Sequence, residues 1–395
     1  MINESDAFMN KKLAQIDLFE NDESQVEEEL GNENVLIEIP FNPSEINIKS
    51  IPRNIGQLVE LLEDDQILIP KYQRLPNLWS ETKKSRFIES LMLDLPIPLF
   101  YFDERDDKKW YVVDGLQRMS TLEHFMLGSG EVGKNKSKLI LQDLEFLTQY
   151  NDKNWDDLPK DLKRRINSNQ VTITLIGKGT PDEVKYTIFS RINQGDTPLK
   201  AQEIRTALFQ GYRINFLESL ISEKTVEGIL FNKVTDGSIK SKRQQDLDFI
   251  SRFIAFYLID YKKYEPDMDR FITSGTKEIK NDPEILTKIK TDFNNSLNLS
   301  FSIFGKNAFR KIKNEGRSFI NKPLFEVISV AFAKLNENQR NKLLENKEEF
   351  YKRYINFQND FSNKFWDSIT TGTAAKDRVI VRNEKFDTFL KEFLK

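Results

Sequence analysis

The stretch Trp110-Tyr111-Val112-Val113-Asp114-Gly115-Leu116-Gln117-Arg118-Met119-Ser120-Thr121-Leu122 changes character at its middle. Its first four residues are aromatic or β-branched, the composition of a strand. From about Gln117 to Leu127 the residues suit a helix. Asp114 and Gly115 mark the joint. A strand that hands an acid and a glycine to the start of a helix brings together a carboxylate, a permissive backbone and the unpaired N–H groups of a first helical turn. Upstream, Leu99-Phe100-Tyr101-Phe102 has the same composition, and polar residues Asp103–Lys109 separate it from Trp110. The two runs read as a β-hairpin.

Working outward, Ile55, Leu58, Val59 and Leu62 share one helical face. A short strand from Ile67 ends in the polar turn Tyr72-Gln73-Arg74. Ser80 is a suitable N-cap for a helix with Phe87, Ile88, Leu91 and Met92 on its apolar face. Leu95-Pro96-Ile97-Pro98 ends that helix, because proline cannot continue it. Gly128, Gly130 and Gly133 mark a loop, Val171–Ile176 alternates as a strand, and helices are expected over about 181–193 and 198–209. From about 212 onward only helical patterns remain, over 243–262, 284–303, 324–335, 337–356 and from 384. The expected class is α+β: an α/β domain at 46–210 and a helical domain at 211–395, behind a flexible acidic arm at 1–45 with a short strand at Val35–Ile39.

The chain has 395 residues, no cysteine and one histidine, His124. Disulfides, thiolate zinc sites and cysteine nucleophiles are therefore excluded. His124 stands beside Phe125 and Met126 in a helical pattern and reads as a structural or surface residue. Chemistry here falls to carboxylates, amides, Arg, Lys, Tyr and a bound metal ion. No apolar run approaches the roughly 20 residues needed to cross a bilayer, and Met1–Gln15 has no apolar core of a secretory signal. The expected location is the cytoplasm, with no membrane partner.

Charge is unevenly distributed. Residues 13–48 hold ten acids and no Lys or Arg, and the chain carries −3 overall, so the residues from 49 onward carry +7. A mildly basic body behind an acidic arm suits a polyanion. The arm itself reads as a solubilising tail, or as a cover for a basic groove.

Three clusters carry chemistry. In Asp114-Gly115-Leu116-Gln117-Arg118 the helix start attracts anions, Gly115 admits close approach, Arg118 offers a bidentate fork to phosphate and Gln117 an amide. Asp114 could hold magnesium or orient a water. An acidic cap with a salt-bridged Arg would show the same spacing. Tyr72-Gln73-Arg74 with Trp79 suits stacking or phosphate contact, as it would suit a core. Arg191, Asn193 and Arg205 could meet at a corner between two helices, where Gly195 could equally be a plain helix terminator.

In this order the clusters resemble the N-terminal domain family of GmrSD-type, modification-dependent restriction enzymes. The matching residues are Ile69-Pro70-Lys71-Tyr72-Gln73-Arg74 with Trp79, then Asp114–Leu122, then Phe189-Ser190-Arg191-Ile192-Asn193-Gln194-Gly195 with Leu199, Glu203 and Arg205. The similarity covers roughly residues 50–260, with Arg243, Asp246 and Arg252 in a helical continuation. It implies a ParB/sulfiredoxin-like core that binds and hydrolyses a nucleoside triphosphate with Mg2+ in anti-phage DNA restriction. It further implies a nucleotide site of Asp114, Gly115, Gln117 and Arg118, with Tyr72, Gln73 and Arg74 lining it and Arg191 and Asn193 closing it. Of these, Asp114, Gln117 and Arg118 carry the catalytic roles and Asp114 the metal. Two features depart from the family. Leu116 replaces the first glutamine of its Asp-Gly-Gln-Gln-Arg signature, and a single histidine leaves no room for an HNH nuclease. The resemblance thus points to a sensing or regulatory subunit that works on DNA with a separate nuclease. A non-catalytic nucleic-acid-binding module and a metal-dependent DNA nuclease are the alternatives.

Overall fold

The computed structural model describes residues 25–27, 46–69, 79–105, 109–128, 137–192, 200–313 and 317–395. Tyr72, Gln73, Arg74, Asn193 and the strand expected at Val35–Ile39 lie outside the described residues. The chain divides into two units, Glu38–Gln210 and Met1–Ile37 with Gly211–Lys395. The class is α+β, with a mixed sheet in the first unit and helices in the second.

The sheet unit starts with β1 (Ile48–Asn54), which leads directly into α1 (Ile55–Glu63). Asn54 and Gln57 form a reciprocal capping box at the joint. β2 (Ile67–Leu68) is only two residues long. Next come α2 (Glu81–Met92), β3 (Phe100–Glu104), β4 (Trp110–Asp114) and α3 (Leu116–Leu122), which continues as a π turn over Glu123–Leu127. α4 (Lys160–Ser168), β5 (Gln170–Ile176), α5 (Asp182–Ile192) and α6 (Ala201–Leu208) complete the unit. As expected, Ser80 caps α2, accepting from the Lys83 amide.

The strand order is β1-β5-β3-β4-β2, with β2 parallel to β4 and β3 parallel to β5. Sequence reading missed β1 because Pro52 interrupts it. At an edge, paired only with β5, the absent N–H costs little. One sheet face presents Phe100, Phe102, Val112, Val171, Ile173 and Leu175 to the apolar faces of α1 to α4. α5 and α6 also pack against β4. Asp103, assigned to the hairpin turn from sequence, is instead buried in β3 at 2% exposure. Its carboxylate holds Lys185 of α5 at 2.5 Å and Arg105 at 3.2 Å. Arg105 in turn donates to the Gln210 and Ala207 carbonyls, so one buried acid fastens two helices to the sheet.

The helical unit comprises α7 (Tyr212–Ser219), α8 (Val226–Thr235), α9 (Gln245–Leu258), α10 (Met268–Lys277), α11 (Pro283–Phe304), α12 (Lys322–Ala333), α13 (Glu337–Glu345), α14 (Lys347–Asn359), α15 (Phe365–Ser368) and α16 (Lys376–Leu394). The single pattern read over 337–356 is two helices, because Asn346 leaves helical geometry between α13 and α14. α11 packs against α8, α12 and α14, and interlocking phenylalanines fill the space between helices. Gly275 of α10 is needed for close approach: a Cβ there would lie 2.4 Å from the Ala255 Cα of α9. Fully buried Glu326 joins Arg252 of α9 (2.8 Å) to Arg382 of α16 (2.8 Å). Among the described residues no helix is long and apolar enough to cross a membrane.

A second buried acid, Glu89 of α2, anchors the loop before α4. Its carboxylate accepts the amides of Glu145 (3.0 Å), Phe146 (2.8 Å) and Leu147 (2.8 Å). Burial pushes its pKa up, but those three donors and the Arg86 charge outweigh it and hold the carboxyl below its ordinary value. A depressed folded pKa stabilises the protein above the unfolded carboxyl range and loses that contribution as pH falls through the folded value. Glu89→Gln should therefore cost about 2–3 kcal/mol at pH 7. In urea titrations at falling pH, the gap to wild type should close below pH ~4.

Candidate functional site

β4 ends in Asp114, Gly115 turns the chain at φ +94°, and α3 starts at Leu116. The left-handed φ requires glycine. Space requires it too, because a Cβ would lie 2.5 Å from Phe100 Cδ1. This corrects the sequence reading: Gly115 makes room for the Phe100 ring, so at that side the backbone meets a core side chain rather than a ligand.

Arg118 sits one turn into α3, 8% exposed. One nitrogen donates to the Leu99 carbonyl at 3.0 Å and to Asp114 Oδ2 at 3.0 Å, and the other donates to the Pro98 carbonyl. The guanidinium also lies over the Phe100 ring, 4.6 Å from its centroid. The free fork expected from sequence is thus committed: Arg118 clasps the start of β3 to the end of β4. Burial lowers its pKa and the Asp114 charge raises it, and a guanidinium stays protonated through either effect.

The partly exposed polar side chains of the turn are Asp114 and Gln117. The Asp114 side chain keeps 35% of its surface exposed. Only Oδ2 is occupied by Arg118, and among the described residues Oδ1 has no partner. No side chain caps α3, so its first-turn N–H groups are left for water or a ligand. α5 begins near Asp103, where Lys185 is bonded, and Arg191 stands exposed six residues further on, about 9 Å along the helix. No described contact joins Arg191 to Asp114, Gln117 or Arg118. Arg205 is fully buried and bonded to Gln202 at 2.8 Å, inside the core rather than at an open corner.

Among the described residues no group of three His, Cys, Asp or Glu could hold a metal ion. A single carboxylate oxygen does fit Mg2+ that arrives on phosphates and keeps its waters. His124 is half-buried in the π turn, its pKa lowered by burial and by Lys84, with Glu81 opposing. It takes no part in the cluster.

The clasp makes a stability prediction. Arg118→Ala removes the partner of Asp114 and of the Pro98 and Leu99 carbonyls and should cost about 1–3 kcal/mol in denaturant melts. Gly115→Ala should cost a similar ~2–4 kcal/mol through φ strain and overlap with Phe100. Asp114→Asn, at a half-open position, should stay within ~1.5 kcal/mol of wild type.

No curated protein and no solved structure matches the chain. A family model does: residues 55–210 match the model described as GmrSD restriction endonuclease, N-terminal domain. The match runs from the first residue of α1 to the last residue of the sheet unit. It stops short of the expected limit near 260, so Arg243, Asp246 and Arg252 fall outside it, and Arg252 is half of the buried clamp on Glu326. Over residues 55–210 the chain is therefore similar to the N-terminal domain of GmrSD restriction endonucleases.

Proposed function

We propose that the GmrSD-type domain binds a nucleoside triphosphate with Mg2+ at the Asp114–Arg118 turn and hydrolyses it. In this reading the chain is a sensing or regulatory component of a cytoplasmic, DNA-directed restriction system whose nuclease is a separate subunit. Its domains are an arm at 1–45, the nucleotide domain at 46–210 and a helical domain at 211–395. The observation that carries the reading is the pairing of a half-open carboxylate with an uncapped helix start at the end of β4. Carboxyl ends of strands followed by helix N-termini are favoured phosphate sites.

The residues divide the work. The first-turn amides of α3 face the phosphates and donate to oxygens where charge develops. Gln117 orients the attacking water. Asp114 holds the metal or the water, and Arg118 keeps the Asp114 carboxylate in place. It does so by the bonds that tie it to Pro98 and Leu99. Magnesium brought in with the nucleotide supplies neutralisation of phosphate charge. Tyr72, Gln73 and Arg74 line the nucleotide, and Arg191 and Asn193 close over it.

A second reading needs no arginine on a transferring phosphoryl group, and Arg118 is already bonded to Pro98, Leu99 and Asp114. The domain would then grip a nucleic-acid backbone without turnover. Cleavage of DNA by this chain through a carboxylate-held metal has less support, since no three ligands converge among the described residues.

Phosphate release with magnesium discriminates between these readings. Wild type should turn over a nucleoside triphosphate, and Asp114→Asn and Gln117→Ala should each lower kcat by about 100-fold with near-native melting. Absent turnover in wild type, together with DNA affinity that falls steeply with salt, would favour the binding module.

A further inference from the structure

Residues 25–27 of the acidic segment are paired with backbone of the helical unit. Val26 pairs in parallel with Ile320, and Ile320 pairs in antiparallel fashion with Arg310. Three backbone bonds hold the segment: the Gln25 amide to the Ser238 carbonyl (3.2 Å), the Ile320 amide to the Gln25 carbonyl (2.8 Å), and the Glu27 amide to the Ile320 carbonyl (2.8 Å). Glu27 Oε2 then accepts from Lys311 Nζ (2.8 Å) and from Asn321 Nδ2 (2.8 Å). Lys311 is 9% and Asn321 3% exposed. The carboxylate therefore meets two donors fixed by packing, not flexible surface groups.

The donors are prearranged for other reasons. Asn321 Oδ1 caps α12 through the Leu324 amide, and its Nδ2 also donates to the Ile369 carbonyl. Arg310 lies beneath, 2% exposed, donating to Ser318 O (2.7 Å) and Ser238 Oγ (2.6 Å). Its Nε is buried without a hydrogen-bond partner among the described residues. Burial and the neighbouring Arg317 push its pKa down to about 10, with Asp236 opposing, so it remains charged at neutral pH. A buried positive charge thus underlies the groove that takes the acid.

We propose that the groove between Ser238, Lys311 and Ile320 is a strand-addition site for an extended acidic peptide, and that Gln25–Glu27 is its resident, exchangeable ligand. The backbone bonds accept any extended chain, while the Lys311–Asn321 pair selects a carboxylate at the third position. A phosphodiester cannot fill this groove, because the Ser238 and Ile320 carbonyls demand N–H donors. One bridged pair with three backbone bonds makes a marginal strand. The cis ligand therefore holds the groove through tethering, which raises its effective concentration. Once displaced, it leaves the groove open to an acidic segment supplied in trans. This inference does not rest on the nucleotide reading.

The test uses the full chain and a labelled peptide spanning Glu20–Glu33, titrated by fluorescence anisotropy. Glu27→Lys should undock the arm, raise peptide affinity at least about ten-fold over wild type, and speed exchange of the Ile320 amide about ten-fold. Adding Lys311→Glu to that chain should abolish peptide binding, while the Glu27→Lys/Lys311→Glu swap should recover slow Ile320 exchange. Equal peptide affinity and equal Ile320 exchange in wild type and Glu27→Lys would overturn the proposal. So would binding that ignores Lys311.

Discussion

One guanidinium joins the two interior strands on which the site depends. Arg118 reaches back about twenty residues to the carbonyls of Pro98 and Leu99 and at the same time binds Asp114, four residues before it. These bonds add to the β3–β4 pairing at Tyr101 and Asp114 and to the Phe100 packing against Gly115. The site is thus a consequence of core construction. A glycine is demanded by φ and by Phe100, the arginine is demanded by two carbonyls, and the carboxylate is held as a result.

This arrangement changes what each residue of the signature can do. An arginine already bonded at three acceptors is poorly suited to grip phosphate directly, yet well suited to fix the acid beside it. Asp114 and the open amides of α3 then become the groups with unspent hydrogen-bonding capacity. Leu116, where the family has glutamine, removes one side-chain amide from the turn but leaves its backbone N–H in place. The helical unit lies outside the matched residues, and its buried Arg252–Glu326–Arg382 clamp serves packing rather than the site.

Much of the sheet unit was legible because its signals are local. Aromatic and β-branched runs marked β3, β4 and β5, and Ser80 marked the start of α2. What escaped reading was non-local. β1 is disguised by Pro52, whose place at an edge only the pairing reveals. The partners of Arg118 are backbone carbonyls, which carry no residue-specific signal. Asp103 looked like a turn residue because its counterions, Lys185 and Arg105, are assembled only by the fold. The docking of Gln25–Glu27 onto Ile320 joins residues nearly three hundred positions apart, and no periodicity announces it.

Nucleotide binding at this turn depends on the open amides beside Asp114. Backbone resonances of the isotopically labelled chain, followed while a non-hydrolysable nucleoside triphosphate and magnesium are added, test it directly. The account predicts saturable shifts at the Leu116 and Gln117 amides, with the Arg118 side-chain resonances unmoved. Saturating nucleotide that leaves both amides in place would contradict it.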